Sequence, residues 1–191
     1  MDTAQTLRAA FQGARAALDA LLADPEALDA AGRIADAVAA AIAADRKVLI
    51  CGNGGSLCDA AHFAEELTGR FRNDRRPLPA IACTEPGHIT CTANDYGFEH
   101  VFARWVTALG RRGDVLIVLS TSGNSPNCLL AAEAAKGAGL TVCGLLGRGG
   151  GKLRATCDIA LVVPGETSDR IQELHMLVLH AVVEVVEAAC R

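Results

Sequence analysis

The 191-residue chain carries a net charge of −4, from 18 Lys and Arg against 22 Asp and Glu, and has no basic run long enough to follow a nucleic acid. Hydrophobic residues make up 51% and aromatics only 4%, so a single domain can bury a substantial, tightly packed core of small side chains. No apolar stretch reaches the ~20 residues that span a bilayer. Met1-Asp2-Thr3-Ala4-Gln5 lacks the basic and then apolar start of a signal peptide, so a cytoplasmic protein with no membrane partner is expected.

In chain order, Leu7, Phe11, Ala14, Leu18 and Leu21 recur in steps of four and three, predicting a helix with a narrow apolar stripe. A seam of that kind lying outside a sheet is expected to dock on a second subunit. Asp24-Pro25 supplies a cap and a first-turn proline for a second helix reaching about Ala44. Residues 1–45 are therefore read as a helical extension serving oligomerisation, and 46–191 as the main body of one structural domain.

From Lys47 onward, strand patterns alternate with helical ones. Strands are expected at Lys47–Cys51, Leu78–Cys83, Asp114–Leu119, Thr141–Leu146 and Asp158–Val163, and helices at Leu57–Gly69, Phe98–Leu109, Pro126–Ala138 and Ser168–Ala189. Uninterrupted Val/Ile/Leu runs imply strands covered on both faces, hence a mainly parallel α/β sheet of about five strands. Such sheets bind ligands past the carboxyl ends of their strands, at a topological switch point. The 8 cysteines are scattered and form no CxxC pair; they read as small buried hydrophobes rather than bridges or a zinc knuckle. Arg70, Arg72, Arg75 and Arg76 form a short basic cluster, read first as a solvated loop and second as a contact for an anionic ligand.

Two strand-to-helix junctions carry the chemistry. Cys51-Gly52-Asn53-Gly54-Gly55-Ser56 follows the first strand, where glycines let backbone approach a ligand and first-turn N–H groups attract anions. His62 and Glu66, four apart, share one face of the helix that follows. Ser120-Thr121-Ser122-Gly123-Asn124-Ser125-Pro126 follows the third strand and offers hydroxyls and amides to phosphate oxygens, more than an N-cap needs. There is no GK[ST] or GxGxxG, which argues against a nucleoside triphosphatase or a dinucleotide enzyme. Spacing does not separate Glu66 from Glu65, which is i+3 from His62. On the last helix Gln172, His175 and His180 lie off the apolar seam, and His180 could simply pair with Glu184.

The strand-STSGNS-helix unit, taken with CGNGGS, HFAEELTGR, NDYGFE and DRIQELH, resembles the SIS (sugar isomerase) domain family, and within it the phosphoheptose (sedoheptulose 7-phosphate) isomerases. The resemblance runs over nearly the whole chain and is weakest in the N-terminal helices. It implies a flavodoxin-like sheet and an aldose–ketose isomerase acting through an enediol, in a homotetramer with sites shared between subunits. It further implies that Ser120, Thr121, Ser122 and Ser125 hold the phosphate, and that Asn53, Gly54, Gly55, Ser56, Asn94, Asp95 and Gln172 contact the sugar. Glu66 is then the catalytic base and His180 the second acid/base or a metal ligand, with one zinc per subunit implied on His62, Glu66, Gln172 and His180. Leu57 stands where some members carry a polar residue, at an expected tolerant helix start. The competing expectation is a non-catalytic SIS scaffold that binds the bacterial replication initiator; that relative lacks counterparts of Glu66 and His180, and this chain has both.

Overall fold

The computed structural model describes residues 2–190; Met1 and Arg191, the outer ends of the two expected segments, lie outside the described residues. The elements run α1 (Thr3–Leu22), α2 (Pro25–Ala43), β1 (Val48–Gly52), α3 (Gly55–Thr68), β2 (Ala80–Ala82), α4 (Pro86–Tyr96), α5 (Val101–Leu109), β3 (Val115–Ser120), α6 (Pro126–Ala138), β4 (Thr141–Leu146), α7 (Leu153–Thr156), β5 (Ile159–Val162) and α8 (Ser168–Ala189). Short 3-10 turns stand at Phe98–His100 and Arg148–Gly150.

The five strands form one wholly parallel sheet in the order β2-β1-β3-β4-β5. Side chains alternate across it. Val48, Ile50, Ile117 and Leu119 enter one core with Ile34 and Val38 of α2, Phe63 and Leu67 of α3, and Val183 of α8. Leu49, Cys51, Leu116 and Val118 enter the other with Phe102 and Trp105 of α5 and Ala131 of α6. Burial on both faces is the reason these strands read as unbroken apolar runs. The sheet grows one way from β1 and the other way from β3, so the switch point lies past Gly52 and Ser120. Both singled-out loops leave the sheet there.

Local signals set four of the eight α-helix starts among the described residues, those of α1, α2, α4 and α6. The Asp24 carboxylate accepts from Glu26 N and Ala27 N, with Pro25 in the first turn of α2. The two N-terminal helices are unlike each other: α2 is part of the core, whereas α1 buries Leu21 and leaves Leu7 and Phe11 in solvent. Four cysteines (51, 83, 128 and 143) are buried, and all eight are free; burial pushes the thiols of Cys83, Cys128 and Cys143 up to about 12. Such thiols behave as small apolar side chains.

The pattern along the chain does not announce α4. Gly87, Thr90, Cys91 and Thr92 are weak helix formers, and Thr92 is its one buried residue, so no apolar stripe marks it. The helix starts on Pro86, with the Glu85 carboxylate accepting from Gly87 N and His88 N. β2 is shorter than the expected Leu78–Cys83, being an edge strand that begins just after Pro79.

Candidate active site

A cleft of about 300 Å³ opens at the switch point, lined by Asn53, Gly54, Gly55, Ser56, Ser120, Thr121, Ser125, Ser168 and Gln172, with Leu119 at its base. Its hydroxyl half is built by the turn after β3. Ser120 Oγ accepts from Gly123 N at 3.1 Å and faces Ser125 Oγ at 3.3 Å. Gly123 has φ +64, and a Cβ there would stand 2.0 Å from Gly150 O, so only glycine closes this turn. Ser125 occupies the N-cap position of α6 without a capping hydrogen bond of its own, which leaves its hydroxyl turned to the cleft. Ser122 is spent inside the turn, accepting from Asn124 N at 3.2 Å, and is not among the lining residues.

The glycine half is held from two sides. Asn53 exchanges two amide hydrogen bonds with Asn127, at 2.9 and 2.8 Å, tying the turn after β1 to the first turn of α6. Gln172 of α8 donates to Ser56 Oγ at 3.5 Å and lies directly over Gly55, where a Cβ would come within 2.6 Å of its carboxamide. Leu57 is half-buried at the helix start. The serine of α8's first turn, Ser168, faces Thr121 Oγ1 at 3.3 Å and receives Arg148 Nη2 at 3.4 Å. Sequence reasoning missed Asn127, Ser168 and Arg148; the signal available for the first two was a polar residue in a helix's first turn beside a ligand loop.

A second cluster lies farther along α3 and α8. His62 Nε2 is 3.1 Å from Glu66 Oε1, and His180 Nε2 is 4.0 Å from the same oxygen. The two imidazoles meet edge to face with centroids 5.1 Å apart. One ligand atom from each of His62, Glu66 and His180 lies within 4.8 Å of the others, two imidazoles and a carboxylate being an ordinary zinc donor set. The Glu66 side chain is 13% exposed and that of Glu65 63%, so the two neighbours that spacing could not separate have different surroundings. His175 is wholly buried in the core with neither ring nitrogen hydrogen-bonded among the described residues, and that burial lowers its pKa to about 4. His180 does not pair with Glu184, which binds Arg72 instead; its ring stacks on Phe71, centroids 5.7 Å apart. One turn before His62, Asp59 has a buried Oδ2 without a hydrogen-bond partner among the described residues, and burial raises its pKa to about 6 against the lowering influence of His62.

Six and ten positions separate Ser56 from His62 and Glu66, and eight separate Gln172 from His180, so about 9–15 Å of helix axis lies between cleft and cluster. Gln172 sits at the cleft end of that span. Asn94 and Asp95, expected at the substrate, are on the exposed last turn of α4 and hydrogen-bond each other at 2.8 Å; they do not line the cleft of their own chain. The basic cluster is divided. Arg70 and Arg72 are exposed, but the Arg75 side chain is 5% exposed and reaches buried Glu187 at 3.5 Å, correcting its reading as solvated.

The SIS domain family model matches residues 11–147. A phosphoheptose isomerase from Fusobacterium nucleatum is 57% identical over 81% of this chain and 80% of its own, and one from Edwardsiella ictaluri is 47% identical over 95% and 94%. The solved phosphoheptose isomerase from Neisseria gonorrhoeae superposes with a TM-score of 0.92 at 38% identity, covering 98% of this chain and 100% of that one. A solved Francisella tularensis phosphoheptose isomerase gives 0.91 at 36% identity with the same coverage. With its five-stranded parallel sheet, hydroxyl-rich switch-point cleft and this likeness along nearly its full length, the chain belongs to the SIS domain family and, within it, to the phosphoheptose isomerases.

Proposed function

We propose that the protein interconverts sedoheptulose 7-phosphate and D-glycero-D-manno-heptose 7-phosphate in the cytoplasm, supplying heptose for lipopolysaccharide or related glycans. The observation that carries this reading is Glu66: a sheltered carboxylate flanked by two imidazoles, on the helix whose N-terminus opens into a hydroxyl-lined cleft. Ser120, Thr121 and Ser125 donate to the phosphate, with Ser168 beside them and Ser122 holding the turn's shape. Asn53, Gly54, Gly55, Ser56 and Gln172 meet the sugar hydroxyls.

Isomerisation moves one hydrogen between neighbouring carbons. Glu66 takes the C1 proton while O2 gains one, giving the enediol; C2 then regains a proton as O1 loses its own, leaving the aldehyde. His180 can donate or accept at those oxygens, since a neutral imidazole carries one nitrogen of each kind. The axial distance between cleft and cluster supports a site completed in a homotetramer, in which Asn94 and Asp95 reach a neighbour's substrate. No helix among the described residues is long and apolar enough to cross a membrane.

The donor atoms of His62, Glu66 and His180 fit a zinc ion, and Gln172 would have to swing from Ser56 to join them. Zinc bound there supplies Lewis acidity toward the substrate's carbonyl and hydroxyl oxygens.

Incubation with sedoheptulose 7-phosphate in deuterated water, following C1 proton exchange, tests the reading. Glu66→Gln is expected to stop exchange and keep phosphosugar binding, while Glu65→Gln leaves exchange in place. Assembled protein that exchanges nothing, with or without zinc, would overturn the proposal in favour of a binding scaffold.

A further inference from the structure

The segment between α3 and β2 grips both helices that carry the histidine–carboxylate cluster. Its Arg75 guanidinium donates from Nη2 to Glu66 O at 2.6 Å, and from Nη1 to Leu67 O at 2.8 Å, Arg76 O at 3.2 Å and Gly69 O at 3.3 Å. The first two are among the carbonyls that a helix leaves without a partner at its C-terminus. The edge of the same guanidinium, Nε, lies 3.5 Å from Glu187 Oε1 on α8, a charge pair between two almost fully buried side chains in which neither atom makes a hydrogen bond among the described residues. Glu187 Oε2 accepts from Asn73 N at 3.3 Å and Asn73 Nδ2 at 3.4 Å. Arg72 pairs with Glu184 and Phe71 stacks on His180. Residues 71–75 therefore hold three successive turns of one face of α8, at 180, 184 and 187.

We infer that Arg75 is a positioning residue: by holding the main chain of Glu66 and the side chain of Glu187 at once, it fixes the approach of Glu66 to His180. A planar guanidinium is needed, because a lysine ammonium cannot span two helix carbonyls and a carboxylate in one plane. This rests on the reading of Glu66 and His180 as the proton-transfer pair.

Two variants test it. Arg75→Lys keeps a positive charge opposite Glu187 and loses the fork. The double variant Arg75→Met with Glu187→Met removes both buried charges together, so neither is stranded. Each is checked for folding by thermal melting, then measured for kcat and KM in C1 exchange, and its crystal structure is determined. Expected are a loss of about 10²-fold in kcat, KM near the parent value, and Glu66 to His180 opened beyond 4.0 Å. Parent kcat with the approach intact in folded Arg75→Lys would overturn the inference, leaving Arg75 a packing residue. If neither variant folds, Phe71→Leu decides, since it loosens the hold on His180 without touching the buried pair; unchanged kcat there counts against the inference. A parent protein that exchanges nothing defeats the functional reading instead, and the Glu66–His180 separation in Arg75→Lys still judges the positioning.

Discussion

Gly55→Ala separates site geometry from folding. A Cβ at Gly55 would lie 2.6, 2.7 and 2.8 Å from Oε1, Nε2 and Cδ of Gln172, where ordinary contact begins near 3.4 Å. The carboxamide must retreat by about 0.6–0.8 Å, the shortfall against ordinary contact, which breaks a Gln172–Ser56 hydrogen bond already 3.5 Å long. The backbone raises no objection, because the left-handed position in this turn is Gly54 at φ +57 and not Gly55. Alanine is also a better helix former than glycine by about 1 kcal/mol. The obstacle is the end of a flexible side chain, so unfolding free energy is expected to stay within about 1 kcal/mol of the parent. Displacing a substrate-positioning group by this distance costs up to about 10²-fold in rate. Thermal melting beside C1 exchange from sedoheptulose 7-phosphate measures both quantities on one preparation. Parent-level kcat/KM from a normally folded Gly55→Ala protein would refute the placement of Gln172 at the substrate.

Other outcomes follow from buried ionisable groups. With His175 held at about 4 against an ordinary 6.5, the unfolded chain binds a proton across that window that the folded chain refuses. Its contribution is fully present above pH 6.5 and is lost as pH falls toward 4, by about 3 kcal/mol; urea midpoints at pH 7.5 and 4.5 measure it, and His175→Leu should flatten this part of the profile. Asp59, raised to about 6, acts in the opposite sense: its stability is present below the unfolded value of 3.8 and lost as pH rises through 6. Asp59→Asn should therefore raise the Tm of metal-free protein at pH 8 and change little at pH 4. Buried Asp114 accepts from Lys47 N, Lys47 Nζ and Arg111 N. Burial alone would raise its pKa, but those bonds together hold it below the usual carboxylate range; Asp114→Ala should cost about 2–4 kcal/mol of unfolding free energy, and a loss under about 1 kcal/mol would show the bonds to be dispensable. His62→Ala should weaken zinc binding by tenfold or more in calorimetry, whereas Cys58→Ala, whose exposed thiol lies outside the cluster, should not.

The strand runs and the Asp24-Pro25 start were legible because each is written in adjacent residues: a strand buried on both faces needs an unbroken apolar run, and a cap needs its side chain within three residues of the amide it receives. The two ligand loops were legible for the same reason. Helix α4 was not, since a carboxylate outside it and a proline start it while its faces carry no stripe. Nor could spacing decide between His175 and His180, or Glu65 and Glu66. A helix presents both members of each pair within a fraction of a turn, and only the side on which the sheet lies sends His175 into the core and leaves His180 beside Glu66.

Sequence by itself therefore determined the parallel α/β architecture, the hydroxyl-bearing turn and the family, all properties of contiguous segments. Tertiary structure alone decided the Asn53–Asn127 pair, the burial of Arg75 against Glu187, and the company Glu66 keeps. These join residues 74, 112 and 114 positions apart in the case of Asn53–Asn127, Arg75–Glu187 and Glu66–His180. Whether such a polar group is solvated or held depends on the partner that folding brings to it, and no local pattern encodes that partner.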